Sequence, residues 1–201
     1  MGLSIIDSHC HLDDDRFDDD RDQVLQRAQQ HGVDQFVVPA TTRLSWPKVK
    51  QLTDDYPNVH VAYGLHPYFM QRHQAQDIEA LDAWLAQEPA VAVGECGLDF
   101  FISQRDEQQQ LELFRAQLQV AANHRLPVII HARKALDIVI RELRHSQVKS
   151  GVIHSFSGSL QQAEILYQLG FRLGIAATIS FERAQRLRRV VKDIDLAALL
   201  S

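Results

Sequence analysis

Short runs of β-branched and aliphatic residues alternate with longer segments of helical period from one end of this chain to the other, and that alternation leaves few folds open. The runs fall at residues 3–7, 35–39, 59–64, 90–94, 128–131, 151–154 and 172–175. Helical patterns follow them at residues 22–31, 45–56, 77–87, 105–124, 135–145, 159–169 and 183–192. Such alternation builds βαβ units whose helices cover a parallel sheet. Gly32 and Gly170 stand where a helix stops, able to take the left-handed conformation of a C-cap. Pro57, Pro89 and Pro127 stand where a helix cannot continue. No linker, low-complexity tract or short-period repeat interrupts the pattern, so residues 1–201 read as a single domain.

The number of units narrows the architecture. Doubly wound sheets usually hold about five or six strands, and this chain has no Gly-x-Gly-x-x-Gly phosphate loop. Seven units followed by a strand-like run at 196–200 point to a TIM (β/α)8-type barrel. At 201 residues the chain is short for that fold, which typically takes about 250. The expectation is a barrel lacking the eighth strand and final helix, with the edges of its first and seventh strands open to pairing.

Composition bears on partners. With 21 Lys+Arg against 26 Asp+Glu the formal charge is −5, which argues against a protein that coats nucleic acid through a general basic excess. A localised site stays open. Cys10 and Cys96 are too few and too far apart for a disulfide framework or a Cys-x-x-Cys knuckle. The N-terminal residues lack the pattern of a signal peptide, and no apolar run nears the roughly 18 residues that span a bilayer. The expectation is a soluble, cytoplasmic protein with no membrane partner.

Chemistry gathers at the strand ends. The first strand reads Ile5-Ile6-Asp7-Ser8-His9-Cys10-His11, and residues two apart share a face, so Asp7, His9 and His11 point one way and Ser8 and Cys10 the other. Alone, a His-x-His pair reads more readily as two surface or core histidines than as a metal half-site. Three more strands, however, close on Glu95, His131 and His154. In a barrel the C-terminal strand ends carry the active site. Four imidazoles with a carboxylate suit zinc or manganese better than magnesium, which prefers oxygen donors. Five donors exceed the three protein ligands of one catalytic ion and fit a pair of ions with Glu95 between them.

The motifs DSHCH, YGLHP, VGECGLDF, PVIIHAR and HSFSGS resemble, in order and spacing, those of the TatD family of metal-dependent deoxyribonucleases, which are amidohydrolase-like metallohydrolases. The match spans essentially the whole chain. It implies a TIM barrel, two divalent ions and phosphodiester hydrolysis of DNA by a monomer. It makes His9, His11, Glu95, His131 and His154 metal ligands, Glu95 the catalytic carboxylate that positions the ion pair, and His66 a contact to the substrate phosphate. The family places a further aspartate ligand in a Leu-Glu-Thr-Asp motif after a leucine run like Leu199-Leu200. Here Ser201 stands next, so the expectation is metal held weakly, below two ions per chain. Cys96 stands where the family has Ile or a similar residue.

Several residues admit two readings. Arg133 shares strand parity with His131 and could clamp a phosphate bidentately or form a surface salt bridge. Asp99 could contact substrate, orient a ligand or cap a turn. Asp7 lies one layer deeper, placed to support a ligand. Cys10 and Cys96 read as packing residues. Arg183, Arg186, Arg188, Arg189 and Lys192 read as a solvated helix face, and the aspartate-rich run at 13–22 as a solvated loop that would repel DNA at the mouth. Two other functions stay open: hydrolysis of an amide, lactone or aminoacyl ester by the same donors, or an inactive fragment. Glu95 favours the nuclease branch, since the resemblance implies that amide-cleaving relatives often carry a bridging carboxylated lysine there.

Overall fold

The computed structural model describes residues 5–103 and 105–200. Residues 3 and 4, which head the expected first strand, and Ser201 lie outside the described residues. Eight parallel strands stand side by side in chain order. They are β1 (Ile5–Asp7), β2 (Val33–Pro39), β3 (Val59–Tyr63), β4 (Ala92–Asp99), β5 (Val128–Arg133), β6 (Gly151–Ile153), β7 (Phe171–Gly174) and β8 (Leu199–Leu200). Seven α-helices connect them: α1 (Arg21–Gln30), α2 (Trp46–Asp55), α3 (Asp77–Leu85), α4 (Glu107–His124), α5 (Leu136–His145), α6 (Leu160–Gln168) and α7 (Gln185–Asp193). This is the TIM-barrel-like α/β fold that the alternation implies. Among the described residues no helix is long and apolar enough to cross a membrane.

Two expectations are corrected. An eighth strand is present, Leu199–Leu200, and it pairs with Leu173 and Gly174 of β7. It follows a one-turn 3-10 helix, Leu196–Ala198, whose N-terminus Asp195 caps by accepting from the Ala197 N–H. The fourth strand also runs five residues beyond its expected end, to Asp99, with every residue buried. Gly94 and Gly97 interrupt the apolar pattern that marks a strand. They are there because backbones meet: a Cβ on Gly97, which has φ +133°, would fall on the His131 peptide of β5. The β4–β5 register shifts between Val93 and Cys96, and an irregularity of that kind re-aims the side chain it contains, here Glu95.

The helices form because each offers one apolar face. In α5, Val139, Ile140 and Leu143 are buried while Asp137, Arg141 and Arg144 face water, a spacing that places the apolar residues along one stripe. Helix α6 opens on a capping box between Ser159 and Gln162. The main core lies between sheet and helices and includes Trp46, Tyr63, Phe114, Ile130 and Phe171. A separate small layer of Ala62, Ala92, Ile129 and Val152, with Val37 against it, lies on the other strand face. That face carries His131 and His154 two residues further along β5 and just past β6. The layer is thus the apolar floor beneath the polar mouth.

Candidate metal centre

Glu95 occupies the middle of the mouth and is only 2% exposed. Its Oε2 lies 3.2 Å from His9 Nε2 and 3.9 Å from His11 Nε2. Its Oε1 lies 3.5 Å from His66 Nε2 and 3.3 Å from His131 Nδ1. Within each trio, His9–His11–Glu95 and His66–Glu95–His131, the donor atoms all fall within 4.8 Å of one another. One carboxylate therefore belongs to two three-donor sets.

The electrostatics fit cation binding. Burial pushes Glu95 up, but the imidazoles of His131, His66 and His9 outweigh it and hold the carboxyl well below its usual range. It is ionised at neutral pH. Both ring nitrogens of His9, Glu95 Oε1 and Asp13 Oδ1 are buried without a hydrogen-bond partner; His9 approaches Glu95 at ion-pair distance without hydrogen-bond alignment. Buried polar atoms are rarely left unpaired, and orphaned donors converging on one carboxylate match what a divalent ion satisfies. The Asp13 carboxylate beside its ring raises His11. Burial lowers His131, but Glu95 and Asp99 outweigh it and raise it. Protons would therefore compete with a metal at both rings, and uptake would weaken as pH falls. His154 is pushed down to about 4 by burial and by His9, so it is neutral at physiological pH.

The elements explain these placements. Strand β1 ends at Asp7, and His9 and His11 project from the segment after it, their rings edge to face at 5.1 Å. The His9 N–H donates to Asp7 Oδ1 at 3.1 Å, giving Asp7 a supporting place behind the ligand. His154 stacks on His9 at 3.5 Å and its Nε2 meets Ser155 Oγ at 3.1 Å; it lies at the mouth but outside both trios. Asp99 is 1% exposed, with Oδ2 3.0 Å from His131 Nε2 and Oδ1 accepting from the Phe101 N–H. Asp99 thus meets the ring of His131 on the nitrogen opposite the one that faces Glu95. The exposed Arg133 lays its guanidinium over the Phe101 ring at 3.8 Å.

Cys10 and Cys96 are free thiols turned to backbone carbonyls of Val37 and Ile129, in packing roles as expected. The basic stretch on and before α7 is exposed, but it is not wholly solvated: Arg186 donates to the Ser157 carbonyl and Arg188 to those of Ile179 and Ser180. Two features escaped the sequence. His66 enters a donor trio, although the strand-end reasoning that singles out His131 also applies to it. Asp13, with Oδ1 3.7 Å from His11 Nδ1, was hidden in a run that reads as solvated loop.

Imidazoles converging on a buried carboxylate at the C-terminal mouth of a parallel βα sheet define a metal-dependent hydrolase of TIM-barrel type. The model of the TatD related DNase family matches residues 6–201. The uncharacterized metal-dependent hydrolase YjjV of Escherichia coli (strain K12) is 42% identical over 203 residues, covering 100% of this chain and 78% of that protein. The chain belongs to the TatD family. The crystal structure of YjjV, described as a TatD homolog, superposes with a TM-score of 0.94 at 40% identity, over 98% of this chain and 77% of that one. A relative from Escherichia fergusonii named 3'-5' ssDNA/RNA exonuclease TatD is 30% identical over 199 residues, covering 98% of this chain and 76% of its own.

Proposed function

We propose that this metal-dependent hydrolase cleaves phosphodiester bonds in DNA with two divalent ions, zinc favoured by the imidazole-rich donors, which the two donor sets sharing Glu95 would hold. The observation that carries the reading is the division of that one carboxylate between two imidazole pairs, Oε2 toward His9 and His11 and Oε1 toward His66 and His131. When bound, ions there supply the Lewis-acid charge that acidifies water near neutral pH and neutralises phosphoryl oxygens. The protein's own residues do the rest. Ionised Glu95 fixes the spacing of the two sets, Asp99 holds His131 with Nδ1 turned to Glu95, and His154 packs the His9 ring in place. Arg133, at the outer end of β5, offers its guanidinium to the substrate phosphate. The E. fergusonii relative's name supports a nucleic-acid substrate. We place the protein in the cytoplasm, in keeping with its two free thiols, acting as a monomer.

The test loads the purified protein with zinc or manganese and compares turnover of bis(4-nitrophenyl) phosphate, a DNA oligonucleotide and a panel of amides and lactones. Turnover of both phosphodiesters well above the panel is the expected result. Activity confined to amides or lactones would sink the reading in favour of the amidohydrolase branch.

A further inference from the structure

Phe101 lies two residues beyond Asp99, in the loop leaving β4, and 52% of its surface is open. Two cations from the end of β5 lie near its ring, with Arg133 Cζ 3.8 Å and Lys134 Nζ 4.7 Å from the centroid. Two hydrogen bonds lead from the platform toward the candidate metal centre, Phe101 N–H to Asp99 Oδ1 and Asp99 Oδ2 to His131 Nε2, and His131 Nδ1 lies 3.3 Å from Glu95 Oε1. Lys134 also lines a neighbouring cavity of about 460 Å³ with Ser157, Gly158, Gln162 and Arg186. Asp137, the acidic residue on that wall, already accepts from Gln162 Nε2 at 2.6 Å.

The charge distribution gives this surface a direction. Residues 13–22 hold seven aspartates against two arginines, and with Lys48 on Asp15 and Asp18 and Arg27 on Asp20 a formal −3 remains there. They follow β1, four strands away from β5 in the sheet. A polyanion crossing the mouth is repelled on the β1 side and attracted where Arg133, Lys134 and Arg186 gather. Aromatic rings interleaved with cations are how single strands are held without base-pair readout, because every base has a face to stack.

We propose that Phe101 is a base-stacking platform that seats the nucleotide next to the one being cleaved. A single-stranded polynucleotide then leaves the centre over β5 and β6, its following phosphates running along Lys134 into the cavity beside Arg186. This deepens the phosphodiesterase reading and rests on it for the position of the cleaved bond. The test measures anisotropy of a fluorescein-labelled single-stranded oligothymidylate with hydrolysis-resistant phosphorothioate linkages on the zinc-loaded full chain. Phe101→Ala is expected to raise Kd about ten-fold or more, as loss of one base stack does, while Phe101→Trp stays within about three-fold. Independently, Lys134→Gln reduces the slope of log K against log salt by about 0.7, the loss of one phosphate contact on a single strand. If the phosphodiesterase reading is what fails, wild type hydrolyses neither phosphodiester while the Ala/Trp contrast in binding persists and upholds the platform. Equal binding by the two Phe101 variants, or no oligothymidylate binding by wild type, overturns it.

Discussion

Asp99 governs how His131 meets Glu95. A carboxylate accepting from Nε2–H fixes the tautomer that leaves the Nδ1 lone pair free, and it strengthens the ring as a ligand. Asp99 is itself locked, because Gln110 Oε1 accepts from its N–H at 2.8 Å and Gln110 Nε2 donates to its carbonyl at 3.1 Å. Asp99→Asn keeps the shape and removes the charge. We expect it to weaken zinc binding roughly ten- to a hundred-fold with little change in thermal stability, measured by competition with a chromophoric chelator. Unchanged affinity would mean that Asp99 only closes the turn before Phe101.

Helix α4 does for β3 and β4 what propensity cannot. Gln117 Oε1 accepts from the Leu65 N–H at 2.8 Å and its Nε2 donates to the Leu65 carbonyl at 3.0 Å, fully buried. Leu65 precedes His66, so this clamp sets one donor of the centre. Gln117→Leu would leave a buried N–H and C=O unpaired, at about 1–3 kcal/mol each. We expect a loss of about 2–4 kcal/mol in urea unfolding together with weaker metal binding; a neutral substitution would show that the loop is held by other contacts. Neither glutamine was visible beforehand, since polar residues at helical spacing read as a wetted face. Strands β2, β3, β5, β6 and β7 were legible to within two residues because their apolar runs are bounded by Pro, Gly or polar residues. Strand β4 was not, because the glycines that let it approach β5 also hide it. Of the centre, Glu95, His9, His11 and His131 were legible from strand-end position. The place of His66 in a trio depends on the path of the loop after β3, and that of His154 on its stacking against His9. Strand-end position points both residues toward the mouth, but the partner each meets there is set by tertiary structure.

Taken across the molecule, acidic residues follow β1 and cations lie at the end of β5, while four histidines from three different segments come onto one carboxylate. The account depends on that sharing. Calorimetric zinc titration of the wild type, of His9→Ala/His11→Ala, of His66→Ala/His131→Ala and of Glu95→Gln tests it most directly. Each histidine pair is predicted to remove one class of site and leave the other, and Glu95→Gln to remove both with the fold intact by circular dichroism. Retention of either class in Glu95→Gln would contradict a centre built around one shared carboxylate.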